Sequence, residues 1–392
     1  MAINEKRVAQ HVRSFEKALG GYAHNEPLSR YLTRFFKENK QMGSSDRKMT
    51  SRFIYNYFRL GNALKDQPLL DRLCFSEFLC EVDSALVSLQ YPDLAEQISD
   101  PLNQKIQLVQ SKVSFDINEI FPLLDHLSED INKESFLRSH FVQPDLFIRA
   151  KRGHEDEVKF TLGQNDIAYK AFSANTLILP NGFRLQDFSK LEGKYEVQDL
   201  SSQKTIEFMD ASANESWWDA CAASGGKALM LLDKYPALNL FVSDIRLSIL
   251  RNLNDRFDKA EVKAPRRQKI LDLTADTTEI LGKEEFDGII LDVPCSGSGT
   301  WGRTPEMIQQ ITEEKLQGFS ALQKKITSNV VKHLRIGQPL VYMTCSVYAD
   351  ENEQVVHYLV DQFGFEIEKM ELIKGYENKA DSMFAARLIR KR

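Results

Sequence analysis

The sequence is poor in the features that would place it quickly. Among 392 residues there are five cysteines and seven histidines, with no C-x-x-C pair, no H-E-x-x-H and no Cys/His cluster. That argues against both a disulfide framework and a protein-held metal. No segment approaches the roughly 20 apolar residues of a membrane span, and the charged, amphipathic start lacks the apolar stretch of a signal peptide. The expected setting is the cytoplasm, with neither membrane nor metal. Charge of one sign is not in excess: 51 Lys and Arg face 56 Asp and Glu, a net charge of -5. The average therefore gives no support for a polyanionic partner, and charge has to be read by segment. Neither G-x-G-x-x-G nor a G-K-[ST] phosphate loop occurs, and there is no internal repeat or low-complexity tract.

Composition is that of an ordinary folded protein, 42% hydrophobic and 27% charged, long enough for two or three domains. Three textures follow one another. Residues 1–135 carry helix-period apolar patterns such as LSRYLTRFFKEN and SRFIYNYFRLGNAL, separated by turn signals such as QMGSSDR, and predict a helical domain. Between Ser29 and Leu60 its cations, Arg47 and Lys48 among them, far outnumber its acids and alternate with Tyr and Phe. Such a stretch suits an RNA-facing surface as well as a solvated helix face. Residues 136–205 break into short β-prone runs, DLFIRAKRG, EVKFTLG and GKYEVQDLSSQ, which predict a small α/β linking module. Arg149, Lys151 and Arg152 lie together at its start. From 206 to 392 apolar strands alternate with helical stretches, the pattern of a Rossmann-like, doubly wound parallel sheet. GFEIEKMELIK and SMFAARLIRK then suggest a closing antiparallel pair.

The chemistry gathers where these strands end. The first runs into DACAASGGK, so Cys221, Ala222, Ala223, Ser224, Gly225, Gly226 and Lys227 form a turn of small residues leading into a helix. Such a turn lets a ligand approach the backbone and offers free N–H groups to an anion. It suits a carboxylate-bearing nucleoside such as S-adenosylmethionine better than a pyrophosphate; tight helix–sheet packing is the plainer explanation. Asp244 stands 25 residues after Asp219, close to the spacing that puts an acid on ribose hydroxyls. Asp272 and Asp292 close the next two strands, and two cysteines, Cys295 in DVPCSGSG and Cys345 in TCSVYADEN, fall on the same edge. A lone Asp there is as readily a cap, and a lone Cys as readily a small hydrophobe. A thiol near a helix N-terminus can, however, have a depressed pKa and form a usable thiolate. Beside a methyl donor, a thiolate suggests pyrimidine carbon 5 chemistry: attack at carbon 6 activates carbon 5 toward the sulfonium methyl. Asp292 is then the residue expected on the base edge.

DACAASGGK, VSDI, DVPCSGSGTWGRTPE, TCSVYADENEQ, VQDLSSQ and DSMFAARLIRK together resemble the Sun/RsmB-like RNA cytosine-5 methyltransferases, and the N-terminal GSSDRKMTSRFIYNYFRLGN resembles their NusB-like RNA-binding domain. The resemblance implies that Cys345 is the nucleophile and that Cys295 assists product release, a choice that chemistry alone leaves open. It implies that residues 221–227, Asp244, Asp272 and Asp292 surround S-adenosylmethionine, with Lys227 and Asp292 also serving catalysis. Structured RNA is the implied partner, 16S ribosomal RNA first and transfer RNA second, with Arg47, Lys48, Arg149, Lys151, Arg152 and Arg303 as its expected contacts and a monomer as the acting form. One departure stands out: Ser224 replaces the family's usual proline, so the loop is expected to be less preorganised. That change motivates a rival reading, an RNA-binding ribosome assembly factor that no longer methylates.

Overall fold

The structure is a computed structural model that describes residues 4–262, 265 and 267–392. They divide into two compact units. The first runs to Asp125 and includes Asn132–Gln143 and Thr300–Thr312; the second comprises His126–Ile131, Pro144–Gly299 and Glu313–Arg392.

The first unit holds helices α1 (Glu5–Gly20), α2 (Leu28–Glu38), α3 (Ser44–Arg59), α4 (Leu69–Cys80), α5 (Ala85–Gln90), α6 (Pro92–Ala95), α7 (Leu102–Lys112) and α8 (Lys133–Ser139). The QMGSSDR turn becomes the start of α3, where the Gly43 N–H donates to the Asp46 carboxylate at 3.2 Å and so satisfies a free helix-end donor. Phe15, Leu32, Phe53 and Phe58 form one buried cluster, and Phe75, Phe78, Ile120 and Phe141 another. The segment Thr300–Thr312 belongs to this unit although it follows the DVPCSGSG motif: the buried Glu306 accepts from the Leu28 N–H at 3.0 Å.

The second unit opens with a four-stranded antiparallel sheet of order β2-β3-β1-β4, made of β1 (Leu146–Ala150), β2 (Lys170–Ala171), β3 (Thr176–Leu179) and β4 (Tyr195–Val197). Helix α9 (Glu155–Gln164) packs on it through Val158 and Leu162. Helix α10 (Leu200–Lys204) leads into the larger sheet, whose strands are β5 (Ser216–Asp219), β6 (Asn239–Asp244), β7 (Arg267–Ile270), β8 (Gly288–Asp292), β9 (Pro339–Thr344), β10 (Phe365–Ile373) and β11 (Met383–Arg390). Their order is β10-β11-β9-β8-β5-β6-β7. The pairs β9–β8, β8–β5, β5–β6 and β6–β7 are parallel, whereas β10 and β11 are antiparallel, as their sequences suggest. Helices α11 (Gly226–Lys234), α12 (Leu247–Lys259), α13 (Thr278–Leu281), α14 (Glu313–Val330) and α15 (Glu353–Phe363) provide the crossovers.

The sheet is legible because GIILD and PLVYMT are almost wholly buried, as parallel strands covered on both faces must be. The paired tryptophans of β5 are core residues: both are fully buried, and the Trp218 indole N–H donates to Ser243 Oγ at 2.9 Å. Their bulk is accommodated by a glycine. A Cβ on Gly288, the residue opposite Trp217 in β8, would lie 2.3 Å from the Trp217 ring. Strands are added to one side of β5 as far as β7 and then to its other side from β8, so the order β8-β5-β6 makes that position the switch point where such sheets bind ligands.

Candidate active site

Four acids end four strands at this edge. Asp219, Asp244 and Asp292 are the last residues of β5, β6 and β8, and Asp272 lies two beyond β7. A cavity of about 570 Å³ opens among them, within the usual size range for a small-molecule site. Cys221, Ala223, Asp244, Asp272, Asp292, Cys295 and Cys345 line it, with Ile245, Leu271, Leu273, Leu322 and Ile326 as apolar walls. The apolar residues were not singled out in the sequence. Ile245 is the readable exception, since it immediately follows the strand-end acid.

Of the expected loop residues, Cys221 and Ala223 reach this cavity, while Ala222 is buried in the sheet core. The loop is pinned from below: the Ala222 N–H donates to the Ser243 carbonyl at 2.9 Å and the Ala223 N–H to the Asp244 carboxylate at 3.1 Å. Gly225 takes a left-handed conformation, φ 84°, at the start of α11, and a Cβ there would press on Leu253 at 2.9 Å. Ser224 is not a gap in the design. Its carbonyl and its hydroxyl both accept from the Arg256 guanidinium at 2.9 Å, and Arg256 is itself paired with Glu196 at 2.5 Å. A proline has no hydroxyl to offer, so serine exchanges a fixed φ for a tether to α12 and β4.

The Lys227 ammonium meets the Asp292 carboxylate at 2.8 Å. Burial is the largest influence and would depress its pKa, but Asp292, with Cys345 and Asp219 behind it, raises it on balance and favours the charged ammonium. Asp244 accepts from the Arg246 N–H at 2.9 Å and faces its guanidinium at 3.2 Å. Its Oδ2 lies nearest the Ala223 N–H and retains acceptor capacity for a diol. Asp272 is exposed, and the Thr274 hydroxyl and N–H hold its carboxyl below the ordinary range. Asp219 was not proposed as a site residue. It is 1% exposed with neither carboxylate oxygen partnered among the described residues, and burial, with Asp292 second, pushes its pKa up to about 8.

Cys295 and Cys345 bring their Sγ atoms to 3.2 Å at the cavity wall. The expectation of a depressed thiol pKa fails for Cys295. Its hydrogen bond with Cys345, then burial, then the nearby Glu351 carboxylate all raise it. Cys221 is likewise raised, by burial and by the surrounding acids. Glu351, in the TCSVYADEN motif, is a further residue missed in the sequence: fully buried, it is hydrogen-bonded to the serines that follow both cysteines.

The expected RNA contacts separate into two groups. Arg149 is 4% exposed and bound to Asp233 and Gln198; Lys151 is 5% exposed and donates to the Ala260 carbonyl at 2.6 Å. Both cations are largely buried and internally bonded: Lys151 is a structural tie, whereas Arg149 keeps one guanidinium nitrogen without a partner among the described residues and lines the cavity that Arg152 also reaches. Arg152 is exposed and lines a cavity of about 440 Å³ with Phe172, Lys204 and Lys234. Lys48 is exposed, Arg47 is half-buried with its Nε donating to the Met42 carbonyl at 3.0 Å, and Arg303 is half-buried within the Thr300–Thr312 segment. Among the described residues no group of three His, Cys, Asp or Glu could hold a metal ion, and no helix is long and apolar enough to cross a membrane.

Residues 206–389 match the family described as 16S rRNA methyltransferase RsmB/F. Ribosomal RNA small subunit methyltransferase B of Xylella fastidiosa is 36% identical over 161 residues, which is 41% of this chain and 37% of that protein. The protein of the same name from Serratia proteamaculans is 27% identical over 310 residues, 75% of this chain and 71% of its own. The chain thus spans well under two thirds of the Xylella relative. The crystal structure of PH0851 superposes with a TM-score of 0.73 at 19% identity, covering 97% of this chain and 98% of the other. NSun6 from Pyrococcus horikoshii with SFG superposes with a TM-score of 0.57 at 15% identity, covering 66% and 94%. These likenesses establish the fold.

Proposed function

We propose, from the premise that residues 206–389 belong to the RsmB/F methyltransferase family, that the chain methylates carbon 5 of a cytosine in RNA, with small-subunit ribosomal RNA as the first candidate substrate. The observation that carries this reading is the cysteine pair, 3.2 Å apart on the wall of a cavity ringed by strand-end acids. The cavity fits S-adenosylmethionine: Asp244 offers acceptors for ribose hydroxyls, Ile245, Leu271 and Leu273 offer apolar walls for a base, and the cysteines stand beside Asp292. S-adenosylmethionine supplies an electrophilic methyl on sulfur.

The Cys345 thiolate bonds to carbon 6 of the cytosine, and the carbon 5–carbon 6 π pair moves toward the ring nitrogen edge. As the adduct forms the ring nitrogen takes a proton from water, and Asp292, ion-paired with Lys227 at 2.8 Å, accepts a hydrogen bond from that N–H and stabilises the charge shift. Carbon 5 takes the methyl and the neutral thioether departs; a base then removes the carbon 5 proton, and the carbon–sulfur bond to Cys345 breaks as the double bond re-forms and the ring nitrogen returns its proton to water. Cys295, held protonated, donates its S–H to the Cys345 sulfur and stabilises it as a leaving group.

The three-part division 1–135, 136–205 and 206–392, with a NusB-like first domain, belongs to the same reading, as do a monomeric acting form and a cytoplasmic site. RNA contact falls to Arg47, Lys48, Arg152 and Arg303; chemistry at a ring carbon requires the target base to be unstacked. In a methyl-transfer assay on small-subunit ribosomal RNA, Cys345→Ala should give no 5-methylcytidine. Turnover at the parental rate would defeat the assignment.

A further inference from the structure

The cysteines lie on two different loops, and one buried carboxylate is bonded to both. Glu351 Oε1 accepts from the Ser296 N–H at 2.8 Å and from the Gln323 amide of α14 at 3.0 Å. Its Oε2 accepts from the Ser296 hydroxyl at 2.5 Å and from the Ser346 hydroxyl. Ser296 follows Cys295 and Ser346 follows Cys345, so each cysteine is one residue from a bond to the same side chain. Gln323 closes the ring by also donating to the Pro294 carbonyl at 3.0 Å. Four donors meet two oxygens, which satisfies a buried carboxylate and leaves it little freedom to turn.

We infer that Glu351 is the positioning residue of the cysteine pair: it fixes the distance between the two sulfurs and places its negative charge beside Cys295. The inference rests on the reading of Cys345 as nucleophile and Cys295 as its hydrogen-bonded partner. Apposition of reacting groups is worth a great deal, since a misplacement of about 1 Å can cost on the order of 10²-fold in rate. Ser298 and Ser346 add weaker neutral bonds between the loops, at 3.1 Å to each other and 2.9 Å from the Val347 N–H to Ser298, whereas Glu351 is the carboxylate on which both loops converge. The other groups facing Cys295 include the Cys345 thiol, the Gly297 N–H and the buried Tyr342 phenol of β9.

The test is Glu351→Gln, which keeps the shape, removes the charge and turns one acceptor into a donor. A thiol-bridging dibromide applied to the full-length protein, with the Cys295–Cys345 peptide quantified by mass spectrometry, reads the sulfur separation without RNA or cofactor. Bridging should slow by about tenfold or more in the variant. The pH at which Cys295 becomes alkylated should also fall, a change that a purely structural role would not cause. Should Glu351→Gln lack a cooperative melting transition, Ser346→Ala, which removes one bond from one loop, should slow bridging several-fold. Bridging and Cys295 alkylation at parental rates in a folded variant would overturn the inference. If bridging slows as expected while the parent never forms a covalent adduct with 5-fluorocytidine RNA, the methyltransfer reading fails and the positioning role stands.

Discussion

The Sγ atoms of Cys295 and Cys345 lie 3.2 Å apart although 50 residues separate them in the chain. They meet because β8 and β9 are parallel neighbours, with Asp292 opposite Met343, so the loops beyond both strands emerge side by side. The contact bears on Cys295: its hydrogen bond with Cys345 raises its pKa.

That shift can be read by alkylation. At pH 7 to 8 iodoacetamide should label Cys295 only slowly, because a thiol whose pKa is raised stays protonated there and only the thiolate reacts. Labelling of Cys295 should rise only above the ordinary thiol range. In Cys345→Ala its onset should move to lower pH, since the largest cause of the shift is gone. Rapid labelling of Cys295 at pH 7 to 8 in the parent would contradict the arrangement.

Cys295→Ala should still attack but release slowly. Denaturing gels under turnover should show protein retained on RNA, at least tenfold more than for the parent, because the departing sulfur loses its hydrogen-bond donor. An absence of retained adduct would remove Cys295 from the release step.

Ser224→Ala severs one charge-assisted hydrogen bond from Arg256, worth about 1.5 to 3 kcal/mol when fully effective. Because the Ser224 carbonyl still accepts from the same guanidinium, only part of this should appear. Titration calorimetry should give S-adenosylmethionine binding weaker by several-fold, and Arg256→Ala should weaken it further. Unchanged affinity in both would mean that the tether does not shape the loop.

The helical unit should be sensitive to acid through His140. This side chain is 3% exposed, packs on Phe121 and Phe136, and bonds the Phe136 carbonyl at 3.0 Å through a ring nitrogen; burial lowers its pKa from 6.5 to about 4. The folded pKa is depressed, so between about pH 6.5 and pH 4 the unfolded chain binds the extra proton and folding weakens as pH falls. The loss should approach about 3 kcal/mol by pH 4. Buried carboxyls such as Glu77 and Glu351, whose pKa values are raised, act in the opposite sense over part of this range. The comparison is therefore made against His140→Gln. Urea titrations at pH 7 and pH 5 should show a smaller acid loss in the variant, and equal losses would refute the assignment.

What could be read before the structure has a common basis. Buried apolar runs ending in acid, as in IILD at β8 and FVSD at β6, announce parallel strands and place Asp292 and Asp244 at the ligand-binding edge. Arg149 and Lys151 could not be read in the same way. Their Asp233 and Ala260 partners lie 84 and 109 residues onward, and a basic run looks the same whether it faces water or another strand.

From residue 206 onward the order of strands and the set of chemical groups at the sheet edge follow from the sequence, because they depend on hydrophobic period and turn residues within about ten positions, whereas EVKFTLG, expected as a β-prone run, lies in helix α9. Tertiary structure alone decided which of those groups touch. It joined Glu351 to Ser296 across 55 residues, tied Ser224 to Arg256 across 32, and put Thr300–Thr312 into the helical unit. Hydrogen bonds and desolvation act over a few ångströms in space, whatever the separation along the chain.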